Sequence, residues 1–287
     1  APPGARHRLS DTPLVGRALE LEAVAATQAL SIARGRGVLV TIAAEAGVGK
    51  TRLLHELGRQ FVDRHGGRVL HGTCVPYGEA NPWWPIAMVL EQALGLGGHG
   101  RGPRPDLAAI AAERLAAIDP DGDVRHSVVD MVCHLLGAPS ELDRLDSPPV
   151  RSAIHQPLGR LLHALAADQP TVITIDDLHW ASNQVIEALD YIADLLPHLP
   201  IALIVAQRPH GDTGWWRDDR VTNLAFELEP LGKAETFEMV ASLLPDHASD
   251  LELLTTIFDR SGGNPLFVHE LAALARTGVE VPVLPDT

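Results

Sequence analysis

The residues whose types and spacing most clearly indicate a binding or catalytic role lie in a glycine-containing turn. Its sequence is Ala44-Glu-Ala-Gly-Val-Gly-Lys50-Thr51. A β-branched, apolar run precedes this turn at 37–42, and leucines at helical spacing follow it, which predicts a strand before it and a helix after it. Glycines let successive N–H groups point at phosphate oxygens, and the helix N-terminus adds a positive dipole. Lys50 can then reach the β- and γ-phosphates of a nucleotide, and the Thr51 hydroxyl can ligate Mg²⁺. The turn is therefore predicted to be a nucleotide-binding phosphate loop.

This loop departs from the usual pattern at its first position, where Ala44 replaces a glycine. The position chiefly requires a small residue, so the departure is mild. The alternative is a glycine-rich turn that carries Lys-Thr by chance, but the strand before and the helix after favour phosphate binding. The predicted nucleotide contacts from this region are Ala46, Gly47, Val48, Gly49, Lys50, Thr51 and Arg52.

A second polar group, Asp176 and Asp177, follows the apolar run 171–175. Ligands of parallel α/β sheets bind at the carboxyl ends of the strands. Asp176 is predicted to hold Mg²⁺ as the Walker B acid, opposite Thr51 of the Walker A loop, and Asp177 to orient or deprotonate the attacking water. The alternative is an acidic turn that only caps the next helix, and the nearby phosphate loop favours the metal site.

A third polar position, Arg208, follows the apolar run 201–206. Arg208 could sense the γ-phosphate, or it could be a solvated arginine at the end of a strand, and both interpretations stay open. We interpret His179 and Trp180 as packing and helix-entry residues. The 14 histidines show no closely spaced ligand pattern, so no zinc site is predicted.

Strands and helices alternate around these residues. This alternation predicts an α/β P-loop NTPase with a parallel sheet covered by helices on both faces, followed by a small helical lid subdomain. We divide the chain into a linker (1–13), a core (14–221), a lid (222–280) and a tail (281–287). The predicted strands are 37–42, 68–73, 172–175 and 201–206, and the predicted lid helices are 233–244, 248–260 and 265–276.

Composition limits the classes of function. The 287 residues are 46% hydrophobic and 21% charged, as in soluble globular proteins, and no apolar run approaches the ~18 residues of a membrane helix. The net charge of −14 is not that of a nucleic-acid binder, so neither nucleic acid nor membrane is expected as a partner. Two cysteines are too few for a disulfide framework, which fits a cytoplasmic location. Both ends suggest a module of a longer polypeptide.

Six motifs together resemble the AAA-type ATPase module of the STAND class, the signal-transduction ATPases with numerous domains. The similarity extends over 13–276 and includes modules of large LuxR-type regulators related to MalT and modules fused to class III adenylate cyclases. DDLHW combined with GNPLF is more specific than the phosphate loop alone. In chain order the motifs are LVGR (14–17), AEAGVGKTRLL (44–54), TIDDLHWAS (174–182), AQRP (206–209), LEPL (228–231) and GGNPLFVHEL (262–271).

The resemblance implies an ATP/ADP switch with Mg²⁺. Val15, Gly16 and Arg17 would border the adenine pocket, and Pro265 would match the lid proline that contacts adenine. Arg208 would match the sensor 1 arginine near the γ-phosphate. Slow hydrolysis would act as a timer, nucleotide-dependent self-association could accompany it, and the output would come from other domains of the same polypeptide. We identify no arginine finger, and Ser182 stands where the family usually has Asp.

Three functions follow as hypotheses. The first is an ATP-hydrolysing regulatory switch of a signal-transduction protein, for example a transcriptional regulator. The second is a structural or interaction module that binds nucleotide without hydrolysing it. The third is a DNA-loading ATPase of the replication-initiator type, which the acidic charge disfavours. The absence of a guanine-reading Asn-Lys-x-Asp element favours ATP over GTP.

Overall fold

The computed structural model describes residues 14–76, 81–96, 106–118, 125–144, 147–209 and 221–277. Five strands in these ranges pair in parallel and form one sheet with the spatial order β2-β3-β4-β1-β5. The predicted linker 1–13 and tail 281–287 lie outside the described residues. In chain order the strands are β1 (Val38–Ala43), β2 (Arg68–Thr73), β3 (Thr171–Asp176), β4 (Ile201–Gln207) and β5 (Thr222–Glu227).

Helices connect the strands and follow the last of them. Across the ranges given above, no helix combines the length and apolar character that crossing a membrane requires. In chain order the α-helices of these ranges are α1 (Ala18–Arg34), α2 (Lys50–His65), α3 (Trp84–Ala93), α4 (Leu107–Ile118), α5 (Arg125–Leu135), α6 (Ser147–Asp168), α7 (Asn183–Leu195), α8 (Lys233–Leu243), α9 (Leu251–Ser261) and α10 (Pro265–Arg276).

The sheet has two apolar faces because its central strands β1 and β4 bury every residue. Neighbouring side chains of a strand point to opposite faces. In β1, Val38, Val40 and Ile42 pack with α1 and α2. Leu39 packs on the other face, in a cluster to which α3 through α7 contribute. The predicted fold, a P-loop NTPase sheet covered by helices on both faces, is confirmed.

Helix α3 closes the sheet beyond β2. The Gln92 side chain donates to the His71 carbonyl (2.6 Å) and accepts from the His71 N–H (2.9 Å), so it uses the hydrogen-bonding groups that another strand would pair with. Close approach of α3 depends on Gly72, where an added Cβ would lie 2.6 Å from the Pro85 carbonyl oxygen. This contact therefore covers the free edge of β2, and β3, which ends at Asp176, lies between β2 and β4 in the interior of the sheet.

The predicted core–lid boundary at residue 221 is wrong for one element. Residues 222–227 were assigned to the lid, but they form β5, which pairs with β1 along its whole length from Val38↔Thr222 to Ala43↔Glu227. The residues of this strand are half-buried or exposed, so it lacks the fully apolar run that marks the central strands. The helices after the sheet begin at Lys233.

Helices α8, α9 and α10, which we call the lid, have a core of their own. Val240, Ile257 and Val268 are fully buried in it. Val15, from the segment before α1, and Leu231, from the connection after β5, belong to the same cluster. The lid is thus packed onto two chain segments that also adjoin the phosphate loop.

We expect Gly72→Ala to destabilise the fold. The new methyl group would meet backbone and the Ile175 side chain (2.9 Å), and overpacking of this kind costs about 1–3 kcal/mol. Thermal unfolding measures the effect. Gly232→Ala is the matched control, because Gly232 has φ −66° and a Cβ there would come no closer than 3.4 Å to the flexible Glu235 carboxylate. Equal melting temperatures for the two variants would contradict the edge contact.

Candidate nucleotide-binding site

Three neighbouring strands bring the predicted chemical groups to one edge of the sheet. Strand β4 lies between β1 and β3. The phosphate loop (44–51) follows β1, Asp176 ends β3, and Arg208 follows β4. Because the strands are parallel, their carboxyl ends meet at the same edge. The strand order therefore places the loop, the acidic pair and Arg208 around one site.

The phosphate loop has the backbone that its glycines allow. Gly47 and Gly49 have φ 81° and 108°, values that side chains rarely adopt, and α2 begins at Lys50 directly afterwards. Ala44 is fully buried in the apolar cluster beneath α1 and α2, and its φ is not positive. Alanine therefore fits at the position where the motif usually has glycine.

The Lys50 ammonium lies over the start of the loop. It donates to the carbonyl oxygens of Ala44 (2.7 Å) and Glu45 (3.0 Å). Burial lowers the pKa of Lys50, whereas the charges of Asp177 and Asp176 oppose this lowering. An ammonium has three N–H donors, so this position uses two of them on the loop itself and lies close to where phosphates are predicted.

The next three loop carbonyls accept hydrogen bonds from outside the loop. The Asn264 side-chain amide donates to Ala46 O (2.9 Å), and the Leu266 N–H donates to Gly47 O (3.2 Å). The buried Arg17 guanidinium lies 3.5 Å from Val48 O and donates to Glu229 O at 2.6 Å. The lid and the segment before α1 therefore both contact the loop backbone directly.

Thr51 and Asp176 meet at the predicted Mg²⁺ position. The Thr51 hydroxyl donates to one carboxylate oxygen of Asp176 (2.5 Å), and the other accepts from the Asp177 N–H (2.8 Å). Among the described residues, no three His, Cys, Asp or Glu side chains form a metal-binding group. Mg²⁺ commonly takes one or two protein oxygens together with substrate phosphates and water, so the hard oxygens of Thr51 and Asp176 fit this ion.

Asp177 is held in an unusual conformation. With φ 54° and ψ 39°, it is the only residue other than glycine with positive φ in the described part of the chain. Burial, followed by the charge of Asp176, raises the pKa of Asp177, while Lys50 and Arg208 oppose this rise. Backbone strain and a destabilised charge at one residue are typical of functional positions.

Arg208 lies beside an aromatic turn rather than alone in solvent. Its side chain is exposed, and its Cζ lies 6.0 Å from the centre of the Trp180 ring, within the range of a cation–π contact. The neighbouring His179 ring packs on Trp180, and within the described structure both its nitrogens are buried without a hydrogen-bond partner. Burial, and then the charges of Arg208 and Lys50, lower the pKa of His179.

The predicted adenine contacts come together in a narrow crevice between the loop and the lid. Its cavity of about 40 Å³ is much smaller than the ~300–1,000 Å³ of typical ligand pockets, so the crevice is too narrow for a base unless its lining shifts. Gly16 is not among the lining residues; a Cβ there would lie 2.7 Å from the Glu235 carboxylate. The crevice is lined by Leu14, Val15, Arg17, Val48, Gly49, Arg52, Leu231, Met239 and Pro265.

Sequence reasoning missed two parts of this site. Asn264 and Leu266 lie in the GGNPLF motif, but their contacts with the loop carbonyls were not predicted. Met239, which lines the crevice, belongs to no motif. It is one of several apolar residues in α8, so nothing in the sequence distinguishes it. Arg17 was predicted as a nucleotide contact, and the structure shows that it also holds Val48 O and Glu229 O.

A family model described as the AAA ATPase domain matches residues 13–205, more than half of the chain. The chain belongs to the AAA ATPase domain family. Proteins of this family are nucleotide-binding ATPases that generally use Mg²⁺, in keeping with the loop and the Thr51–Asp176 pair. The match ends within β4, so the contacts made by the lid lie beyond the matched segment.

This AAA ATPase domain also resembles longer proteins. An uncharacterized protein of Rhizobium meliloti (strain 1021) is 31% identical over 281 residues, which are 96% of this chain but only 26% of that protein. Cdc6p from Pyrobaculum aerophilum has 16% identity and a TM-score of 0.52 over 94% of this chain and 65% of its own, which shows a shared fold. A STAND protein with a tetratricopeptide repeat sensor from Pyrococcus horikoshii has 16% identity and a TM-score of 0.44 over 90% of this chain and 30% of its own.

We expect Asp177→Asn to raise the melting temperature at pH 7–8. The raised pKa of Asp177 means that its ionised form is less favourable in the fold than in the unfolded chain, and asparagine tolerates a positive φ. The side chain is partly exposed, so the gain stays below about 1 kcal/mol, or roughly 2–4 °C for a chain of this size.

The gain should shrink as the pH falls through the raised pKa of Asp177 towards ~3.9, the ordinary pKa of aspartate, because the folded protein takes up the proton first and the carboxyl group is protonated in both states only below that pH. Thermal unfolding of both proteins between pH 4 and pH 8 measures it. Asp259→Asn, at an exposed position of α9, is the control. A gain that does not change with pH would contradict the electrostatic explanation, and a loss of stability would contradict both arguments.

Proposed function

We propose that this AAA ATPase domain is a cytoplasmic regulatory switch of the STAND class, which binds ATP and hydrolyses it slowly within a larger signal-transduction protein. The observation that carries the proposal is the direct contact between the lid and the phosphate loop, through Asn264 and Leu266. A nucleotide placed between these two parts would touch both. Its affinity would then depend on the position of the lid, and this dependence is what a nucleotide-controlled switch requires.

The adenine end of the nucleotide would lie in the crevice. Val15 and Val48 offer apolar surface there, Pro265 comes from the lid, and Arg52 contributes a cation. Since the crevice holds only about 40 Å³, a base would have to widen it, for example by displacing the Arg52 and Met239 side chains that line it. ATP and ADP would favour different lid positions if their contacts with loop and lid differ.

The phosphate end would lie on the loop N–H groups at the start of α2, where backbone dipoles favour anions. Lys50 would donate to the phosphates, and Thr51 and Asp176 would hold Mg²⁺, which would offset the phosphate charge. Asp177 would accept a proton from the attacking water; its raised pKa makes it a stronger base than an ordinary aspartate. Arg208 would be attracted to the γ-phosphate, and its contact with Trp180 would change when the γ-phosphate is lost.

The regulatory role belongs to the proposal as well. The order of the LVGR, DDLHW and GNPLF motifs supports the STAND assignment and, within it, the LuxR/MalT-like regulators. The chain spans 26% of its R. meliloti relative, so in that protein most of the length lies outside the matched segment. We propose that domains of the same polypeptide, a DNA-binding domain among them, supply the output, and that this module itself contacts nucleotide rather than nucleic acid.

We expect wild-type protein to retain ADP or to bind ATP, and Lys50→Ala to lose affinity at least ~10-fold, because a charge-assisted hydrogen bond to phosphate is removed. Chromatography of the released nucleotide and calorimetric titration measure this. The chain has one other lysine, Lys233, which lies near Phe237 in the lid, so Lys233→Ala is the matched control. If no nucleotide binds to wild type under any condition, the proposed function fails.

We expect Asp177→Asn to bind ATP with near wild-type affinity and to hydrolyse it ~10²-fold or more slowly, because loss of a general base typically lowers the rate by this amount. Phosphate release under saturating MgATP measures kcat. Unchanged turnover would remove Asp177 as the base. Stoichiometric nucleotide with no turnover even in wild type would instead support a non-hydrolysing binding module.

A further inference from the structure

We propose that Asn264 is a positioning residue that couples the lid to the phosphate loop. The geometry points to a two-sided role for its amide, which stabilises the start of α10 on one side and orients the loop on the other. This inference rests on the proposed function, since it concerns how the same site senses its ligand. It adds a defined physical connection between the phosphates and the lid.

One side of the amide belongs to the lid. Asn264 is the N-cap of α10, and its Oδ1 accepts from the Leu266 N–H at 3.1 Å. The residue before it is fixed as well, because the Leu231 N–H donates to Gly263 O at 2.8 Å. Gly263 has φ 74°, and a Cβ there would lie 2.0 Å from the Leu231 carbonyl oxygen. Asn264 therefore moves with the lid.

The other side of the amide belongs to the loop. Its Nδ2 donates to Ala46 O at 2.9 Å, and the Leu266 N–H that it caps also lies 3.2 Å from Gly47 O. A Cβ at Gly47 would lie 2.6 Å from Asn264 Oδ1. Glycine at position 47 thus provides both a positive φ and the space in which the amide approaches the backbone.

These contacts act on the phosphate site through the peptide plane. In a planar trans peptide, the carbonyl of one residue and the N–H of the next point in opposite directions. A donor that holds Ala46 O on the lid side therefore turns the Gly47 N–H to the other side, towards the phosphates. In the same way, the Leu266 N–H that donates to Gly47 O turns the Val48 N–H towards the phosphates. Asn264 and Leu266 orient two phosphate-binding donors without touching a phosphate.

Coupling of this kind is reciprocal. If the docked lid orients the loop N–H groups, then phosphate bound to those groups must favour the docked lid by the same factor. Removal of one such hydrogen bond is expected to weaken phosphate-dependent binding by about 3- to 10-fold. The nucleoside portion would lie in the crevice, against other residues, so the affinity for adenosine should change little.

The test separates helix capping from loop positioning. Asn264→Ser keeps a side-chain acceptor at the N-cap but is too short to donate to Ala46 O. Asp250→Ser is the matched control, because Asp250 caps α9 by accepting from the Leu253 N–H at 3.0 Å. Asn264→Asp is a second variant, which keeps the acceptor and the length of the side chain but replaces the donor with a negatively charged oxygen. A loss of ADP affinity in Asn264→Asp that is absent from Asn264→Ser would therefore be an effect of charge and would overturn the coupling role.

Affinities for ADP and for adenosine would be measured by calorimetry, with thermal unfolding in nucleotide-free buffer alongside. We expect both Asn264 variants to lose 3- to 10-fold or more in ADP affinity, with adenosine affinity and nucleotide-free melting temperature close to those of Asp250→Ser. Equal losses for ADP and adenosine, no loss for ADP, or a drop in nucleotide-free stability without a selective loss for ADP would each overturn the coupling role. Wild-type protein that binds no ADP would instead contradict the proposed function itself.

Discussion

The N–H groups of a phosphate loop can donate to an anion only if the carbonyl groups of the same peptides point away from it and accept hydrogen bonds from other donors. In this chain the carbonyls from Ala44 to Val48 are all held. Lys50 holds the first two, the lid holds the next two, and Arg17 holds the fifth. The orientation of the loop peptides thus depends on Lys50 within the loop and on two other parts of the chain, the lid and the segment before α1.

The segment before α1 contacts both the loop and the core of the lid. Arg17 joins Val48 O to Glu229 O, and Val15 completes the core of the lid. A movement of the lid must therefore act on the loop from two directions. The sheet sets a different distance. Because β4 lies between β1 and β3, it fixes the separation between the loop and the acidic pair.

Local signals made much of this predictable from the sequence. The buried strands β1, β3 and β4 are continuous apolar runs, and the loop has characteristic glycine and lysine spacing. Strand β5 was missed because its half-buried residues, which include Asn223, give no such run. The contact between Asn264 and Ala46 joins residues 218 positions apart, and no local pattern carries that information. The GGNPLF motif contains Asn264, but only the fold shows which loop atom it reaches.

The charges at the site lead back to the same constraint. Lys50 and Arg208 carry two positive charges, and Asp176 and Asp177 carry two negative ones, so these four side chains offset one another. Burial makes both the Lys50 and the Asp177 charge less favourable, as the directions of their pKa shifts show. Phosphates would add negative charge that these side chains do not balance. Mg²⁺ and the oriented N–H dipoles would have to balance it, and the orientation of those dipoles depends on the lid. On this proposal, the affinity for a ligand with several phosphate charges depends on the position of the lid. The acidic pair lies at the end of β3 of the sheet, so its own position does not depend on the lid.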